Sequence, residues 1–399
     1  MSRADLSRRA FTAGLCGCGL MGLGACTAHQ TGSAYDLADA TPGYRPDPKT
    51  DEAGIWQSLD KVEAEMRTAG NRVRDKAIND YMTDILCRLA SSYCPDLRTY
   101  VLRIPSFNAG MYPNGMTAIN TGLLLRARSE SQVAAVLGHE FGHFRRRHSL
   151  ARMRDMRVKS DIVTVLSVGV AAAGVPGAGG INNSLMLGAN ATVLAFSREH
   201  EREADSIGFE VMAAAGYDPF EAGAIWKRLM DIEEASEEDN RPDVFTSTHP
   251  LPEEREETLR KKAEALGRPA LAAPNRLHEI IAPIRGLMLA DEVNLGTFKR
   301  SEKLFDLLIA DGFNIGEVLY HKGELYRRRN REGDEALALG FYHQAVEARG
   351  APPEALRQVG MVRWRRGDRE AAREYLRRYL NAKPDAFDRD MIQSYLKGA

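Results

Sequence analysis

The chain has 399 residues, 44% hydrophobic and 27% charged, a balance that excludes wholesale disorder and leaves room for two or three domains. Its formal net charge of −1 provides no global basic field, which excludes nucleic acid and acidic lipid as default electrostatic partners. Charge is concentrated only locally, in the run Arg145, Arg146, Arg147 and in the acidic stretch 233–239, and both read as solvated faces or loops.

At the N-terminus, Ser7-Arg8-Arg9-Ala10-Phe11-Thr12 reads as a twin-arginine export signal. The weakly apolar stretch that follows, 10–25, is too short to span a bilayer as a permanent helix. It ends in Leu23-Gly24-Ala25-Cys26, which is similar to a bacterial lipobox, where small residues admit the signal peptidase and the Cys thiol carries the lipid. Residues 1–26 are therefore expected to be a signal peptide, the alternative being an ordinary cleaved signal in which Cys26 is incidental. Thr27 stands where an Asp would retain such a lipoprotein at the inner membrane, so the expected location is the periplasm, with a lipid anchor at Cys26 in the outer membrane. Cys87 and Cys94 remain in the mature chain. They either pair as a local staple, if a helix ends before Pro95, or stay as one buried and one free thiol.

Residues 27–53 are polar and carry Thr41-Pro42-Gly43 and Pro46-Asp47-Pro48, which predicts a flexible linker. Over 55–89, Val73, Ile78, Tyr81, Met82, Ile85, Leu86 and Leu89 recur at helical spacing and predict one or two helices. Residues 100–104 read as a strand, and the turn residues over 108–122 predict a small hairpin or sheet edge. The spacing of Val133, Val136, Leu137 and Phe141 after Ser129 and Ser131 predicts a helix over 129–150. The apolar stretch 162–196 is interrupted by glycines and Pro176. It reads as two helices joined by a loop, or more sharply as a lid or membrane-touching hairpin. A helix over 197–215 should stop at Gly216-Tyr217-Asp218-Pro219, and a charged helix is expected over 253–266. Pro269 and Pro274 in 267–274 mark the preferred boundary, giving domains at 54–267 and 275–399.

The C-terminal third repeats. Gly286, Gly323 and Gly360 are 37 residues apart, and Leu356, Gly360, Gly367, Ala372, Leu376 and Pro384 fall where a tetratricopeptide helix pair places its packing residues. Leu319, Gly323, Tyr326, Ala338, Tyr342 and Ala345 fit after a three-residue insertion, and the unit with Gly296, Phe305 and Leu308 fits more weakly. The expectation is an α-solenoid that binds protein partners, with a generic helical bundle as the alternative.

The chemistry sits in His139-Glu140-Phe141-Gly142-His143. On a helix, positions i and i+4 share a face, so both imidazoles reach one Zn²⁺, while Glu140 is turned toward the open coordination position and can take a proton from metal-bound water. Gly142 permits close approach of another backbone, and His148, five residues beyond His143, falls on a different face and reads as structural. A catalytic zinc site needs a third protein ligand. Glu201 supplies it, and Asp205, one turn later, is placed to accept the free N–H of His139; Glu203 projects elsewhere.

Beyond this motif the chain resembles the zinc peptidase family that includes HtpX, the OMA-type mitochondrial peptidases, CaaX prenyl proteases and periplasmic BepA-like proteins. The resemblance rests on Ser106-Phe107-Asn108-Ala109, Pro113-Asn114-Gly115, Thr121-Gly122-Leu123-Leu124, the residues 137–143, Phe196-Ser197-Arg198, the residues 201–205, the residues 215–219 and Ser247-Thr248-His249-Pro250. Gly110-Met111-Tyr112 departs from the family pattern at the strand that would meet substrate. The resemblance, which covers about 50–265, implies a mainly α (α+β) fold: a gluzincin-like helical metallopeptidase domain with a small β-sheet, ahead of the helical repeats. It implies one Zn²⁺ per chain on His139, His143 and Glu201, with Glu140 as base and acid, and a peptide strand added to the sheet edge near 108–120. His249 is left open as an oxyanion stabiliser, a removable fourth ligand that keeps the enzyme latent, or a turn cap. The activity it implies is a metalloendopeptidase acting on misfolded or misassembled envelope proteins; a periplasmic chaperone or assembly factor with a largely latent site is the alternative.

Overall fold

The computed structural model describes residues 37–159, 196–235, 249, 253–267 and 275–397. The signal peptide expected over 1–26 with Cys26, nearly all of the Gly-rich stretch 162–196, the acidic stretch beyond Ala235 and the two boundary prolines lie outside the described residues.

Residues 37–50 differ from the flexible linker expected over 27–53. The Ala40 N–H donates to the Arg145 carbonyl at 2.8 Å, the Tyr93 hydroxyl donates to the Ala40 carbonyl at 2.9 Å, and Asp39 pairs with Arg145 at 2.9 Å. A polar, proline-bearing composition does not register such pairwise partners. Helix α1 (Asp51–Thr68) starts on the Thr50 cap, and α2 (Lys76–Leu89) on Asp75, which accepts from the Ile78 N–H. A 3₁₀ turn (Ser91–Asp96) follows, and the disulfide Cys87–Cys94 joins it to the end of α2.

Strands β1 (Arg98–Leu102), β2 (Ala109–Met111) and β3 (Met116–Asn120) form a sheet in the order β1-β3-β2, with β1 parallel and β2 antiparallel to β3. One face of the sheet is held through α1. The buried Glu63 accepts from Arg98, Tyr100 and Arg67, and these partners outweigh the burial that opposes its charge, holding its carboxyl down at about 2. After α3 (Thr121–Arg126) comes α4 (Glu130–Arg145), capped by Ser129, and then α5 (His148–Lys159). The single helix expected over 129–150 is broken at Arg147, whose φ is +56°. There the guanidinium pairs with Glu52 and lies 4.9 Å over the Tyr44 ring, contacts that hold the turn.

Helices α6 (Arg198–Ala214), α7 (Phe220–Glu234) and α8 (Glu253–Leu266) complete the N-terminal part. Small residues bring α4 and α6 together. A Cβ on Gly142 would lie 2.8 Å from the Ala204 backbone, and one on Gly208 would lie 2.7 Å from the His139 N. Because both neighbours are backbone, neither can yield without moving a helix. Gly142→Ala is expected to cost about 1–3 kcal/mol of stability by overpacking, measured as a lowered urea midpoint at unchanged m-value.

The C-terminal part consists of α9 (Leu277–Asn294), α10 (Phe298–Asp311), α11 (Ile315–Arg329), α12 (Asp334–Glu347), α13 (Glu354–Arg365), α14 (Arg369–Ala382) and α15 (Arg389–Lys397). Successive helices pack on one another, most extensively α11 against α12 and α13 against α14. At the 37-residue spacing, Gly323 faces the Tyr342 ring of its pair and Gly360 faces Leu376, so equivalent glycines admit equivalent side chains. Gly286 instead faces Glu317 on α11, in line with the weaker fit of the first unit. One hydrophobic core runs from Val133 and Leu137 on α4 through Trp226 on α7 to Leu289 on α9 and Phe305 on α10. Arg126 and Glu292 pair at 2.9 Å inside this junction, both buried. Among the described residues no helix is long and apolar enough to cross a membrane.

Candidate metal centre

Helix α4 is buried on all sides from Val133 to His143, so its histidines face protein rather than water. His139 and His143, one turn apart, direct Nε2 atoms at each other across 3.1 Å. Glu201, in the first turn of α6, brings Oε1 to 3.3 Å from His143 Nε2 and Oε2 to 3.5 Å from His139 Nε2. His249 adds Nδ1 at 3.2 Å from His139 Nε2 and 3.0 Å from Glu201 Oε1. Each of the four residues offers an atom within 4.8 Å of the others, and all four are buried.

The tautomers follow from the outer contacts. His139 Nδ1 is 2.9 Å from Asp205 Oδ1, which fixes its proton on Nδ1 and leaves Nε2 bare. His143 Nδ1 is likewise occupied, at 2.9 Å from His148 Nδ1. Two bare imidazole nitrogens and a carboxylate converging within hydrogen-bond distance repel one another unless a cation lies among them. Tetrahedral zinc with bonds of about 2.0–2.1 Å has ligand–ligand edges of about 3.3–3.4 Å, close to the separations seen. A set of imidazole nitrogen and carboxylate oxygen suits zinc, so the residues present fit the ion.

Electrostatics agree with that fit. Burial holds the His143 imidazole well below its usual pKa and therefore neutral, as a ligand must be. Glu201 stays charged against burial because His139, His143 and His249 surround it, and its pKa lies far below the usual carboxylate range. Asp205 also overcomes burial, chiefly through the Arg255 guanidinium, and is held at about 2. His139 is raised despite burial, since Asp205 and Glu201 both face it, a stabilisation that a seated cation would take over. Glu140 goes the other way: burial pushes its carboxyl up. Among the described residues its Oε1 is buried with no hydrogen-bond partner and lies 3.7 Å from His249 Nε2, while the Met111 N–H reaches the carboxylate from the sheet.

That strand places the remaining recognition groups. Tyr112 N–H and the Asn108 carbonyl bond to β3, so the intervening Ala109 and Met111 turn their main-chain groups outward from the edge strand, beside Glu140. The structure thus gathers Glu140, His139, His143, Glu201 and His249 in one cluster, with Asp205 directly behind His139. Two participants went unrecognised in the sequence. Arg255 donates to Asp205 at 2.7 and 2.8 Å, lies 2.9 Å from Glu201 Oε2, and packs 4.7 Å over the Trp226 ring. Its position six residues after His249 is the only signal for it, and no spacing rule links the two. His148, placed on a different face by a continuous helix, reaches His143 because the helix turns at Arg147.

Residues 74–263 match Peptidase family M48. The chain is 30% identical over 282 residues to the putative beta-barrel assembly-enhancing protease of Vibrio cholerae, covering 67% of this chain and 57% of that protein. It is 26% identical over 317 residues to the beta-barrel assembly-enhancing protease of Escherichia coli K12, covering 77% and 62%. Over 178 residues it is 34% identical to the mitochondrial metalloendopeptidase OMA1 of Schizosaccharomyces pombe, covering 44% and 50%. The chain therefore spans about three fifths of the length of these bacterial relatives.

Proposed function

Because residues 74–263 of this chain belong to peptidase family M48, we propose that the protein is a zinc-dependent metalloendopeptidase of the cell envelope. The observation that carries this reading is the convergence of His139 Nε2, His143 Nε2 and Glu201 beside a buried, raised carboxyl at Glu140. His139, His143 and Glu201 would hold the zinc, which when bound would supply Lewis acidity toward a peptide carbonyl and toward the attacking water. Glu140 Oε1 takes the proton of that water and returns it to the leaving amine, while Met111 N–H holds the carboxylate in place. A substrate strand adds to the outward main-chain groups of Ala109 and to the outward Met111 carbonyl, which fixes the peptide in extended form across the site. Asp205, locked by Arg255, keeps His139 in the ligating tautomer.

The bacterial relatives are named for enhancing β-barrel assembly, which supports misfolded or misassembled envelope proteins as substrates. The disulfide Cys87–Cys94 supports an oxidising compartment, in line with the export signal and with anchoring through Cys26. The sequential helix pairs over 277–382 support a tetratricopeptide-like solenoid that docks protein partners.

His249 favours a second state of the same site. Its Nδ1 stands at the fourth corner of the cluster, where a removable ligand would exclude water and hold the protease latent, leaving the helical part to act as an assembly factor. His249→Ala is expected to raise degradation of an unfolded substrate such as casein several-fold at unchanged zinc content, with Glu140→Gln as the inactive control. Loss of casein degradation in His249→Ala would assign it to oxyanion stabilisation instead, and absence of activity in every zinc-loaded form would overturn the peptidase reading.

A further inference from the structure

The two histidines of the cluster are held from behind in different ways. His139 Nδ1 meets a carboxylate directly, in Asp205. His143 Nδ1 meets a second imidazole, His148 Nδ1, at 2.9 Å, and His148 Nε2 in turn lies 3.0 Å from Glu203 Oε2. The direction of this chain is set by its inner end. His143 directs Nε2 into the cluster, so its proton is on Nδ1 and is donated to His148 Nδ1. His148 then carries its own proton on Nε2 and donates it to Glu203. The carboxylate at the far end also pairs with Arg146 at 2.6 Å, so the chain closes on the residue that caps the C-terminus of α4.

Packing fixes the rings that make the chain. His148 is buried and stacks on His200 with centroids 4.1 Å apart and planes 19° apart. The Phe196 ring stacks on His143 at 4.0 Å and 23°. The backbone makes the chain possible at a cost: with Arg147 at φ +56°, α4 ends and His148 folds back toward His143, where continued helix would carry it to another face.

We propose that His148 is a positioning residue for the metal centre. Through the His143–His148–Glu203 chain it sets the tautomer and ring orientation of His143, doing through an intermediate imidazole what Asp205 does directly for His139. The strained turn at Arg147 exists to place it. The inference rests on the zinc reading above and goes beyond it by assigning a role to a residue outside the ligand set. It requires that the acceptor atom of residue 148, rather than its bulk, governs the metal.

The test is the zinc dissociation constant of the full chain, measured by competition with a chromogenic chelator. The proteins compared are wild type, His148→Phe, which keeps a ring and removes the acceptor, and His148→Asn, whose Oδ1 stands near the place of Nδ1. Weakening of about 10–100-fold is expected for His148→Phe, as for the loss of other outer-shell partners, with His148→Asn recovering most of it. Should the Phe protein fail to fold, His148→Ala in the same assay removes the acceptor with less bulk. Zinc binding by His148→Phe or His148→Ala equal to wild type would overturn the inference while leaving the zinc site standing. Equal losses in Phe and Asn proteins would also overturn it, since bulk and not the acceptor would then be responsible. A wild-type protein that takes up no zinc would remove the premise and the inference together.

Discussion

Glu140→Gln is expected to lower kcat for peptide hydrolysis by about 10³-fold, within the 10²–10⁴ range of a positioned general base, without loss of zinc or of fold. The substitution keeps the shape of the side chain and the position facing His249, and removes only the ability to take a proton. Stability should move the other way. Burial raises the Glu140 pKa, so in the metal-free protein the ionised carboxylate is disfavoured by folding. A carboxyl whose pKa is raised in the folded state contributes stability that is full below its unfolded pKa and is lost as pH rises through the folded value. At neutral pH the amide escapes that loss, so the metal-free variant should melt no lower than wild type. Casein hydrolysis, zinc content and thermal denaturation measured on one preparation check all three statements. A variant that loses activity because it has unfolded or lost zinc would show it in the second or third measurement.

The second large effect concerns the ion. Three acceptor groups, His139 Nε2, His143 Nε2 and Glu201, are held against one another at 3.1–3.5 Å in a buried site, an arrangement that costs stability until a cation fills it. Binding to the native state alone stabilises by about 4 kcal/mol when free zinc is 1,000-fold above its dissociation constant. Chelation should therefore lower the melting temperature by several degrees, and restoring zinc should recover it. His139→Ala and His143→Ala should be insensitive to chelator, since each lacks a ligand. Magnesium should not substitute, because it favours octahedral oxygen ligation and this site offers imidazole nitrogen.

Much of this centre was legible because its key element is local. His139 and His143 share a helix face by spacing alone, and Asp205 follows Glu201 by one turn, so the proposed ligands and the carboxylate behind His139 could be placed without knowing the fold. Gly142 announced a close helix crossing, but its partner Ala204, and the approach of Gly208 to Gly138 and His139 one turn away, could be identified only in three dimensions. The hidden residues depend on events that periodicity does not encode. His148 enters through a positive φ at an arginine, a residue with no special preference for that conformation, held there by Glu52 and Tyr44 from another part of the chain. Arg255 enters because α8 packs alongside α6 and α7. The same limit explains residues 37–50, where composition suggested a tether and specific partners at Arg145, Tyr93 and Asp96 organise the segment. It also explains the junction near α9, where Leu277, Ile281 and Leu289 join the core of the N-terminal part instead of a core of their own.

The convergence of α4 and α6 on a single ion is tested most directly by metal analysis of the purified full-length protein beside Glu201→Ala. One zinc per wild-type chain and almost none in the variant is the expected outcome. Full zinc occupancy in Glu201→Ala, or none in wild type, would contradict it.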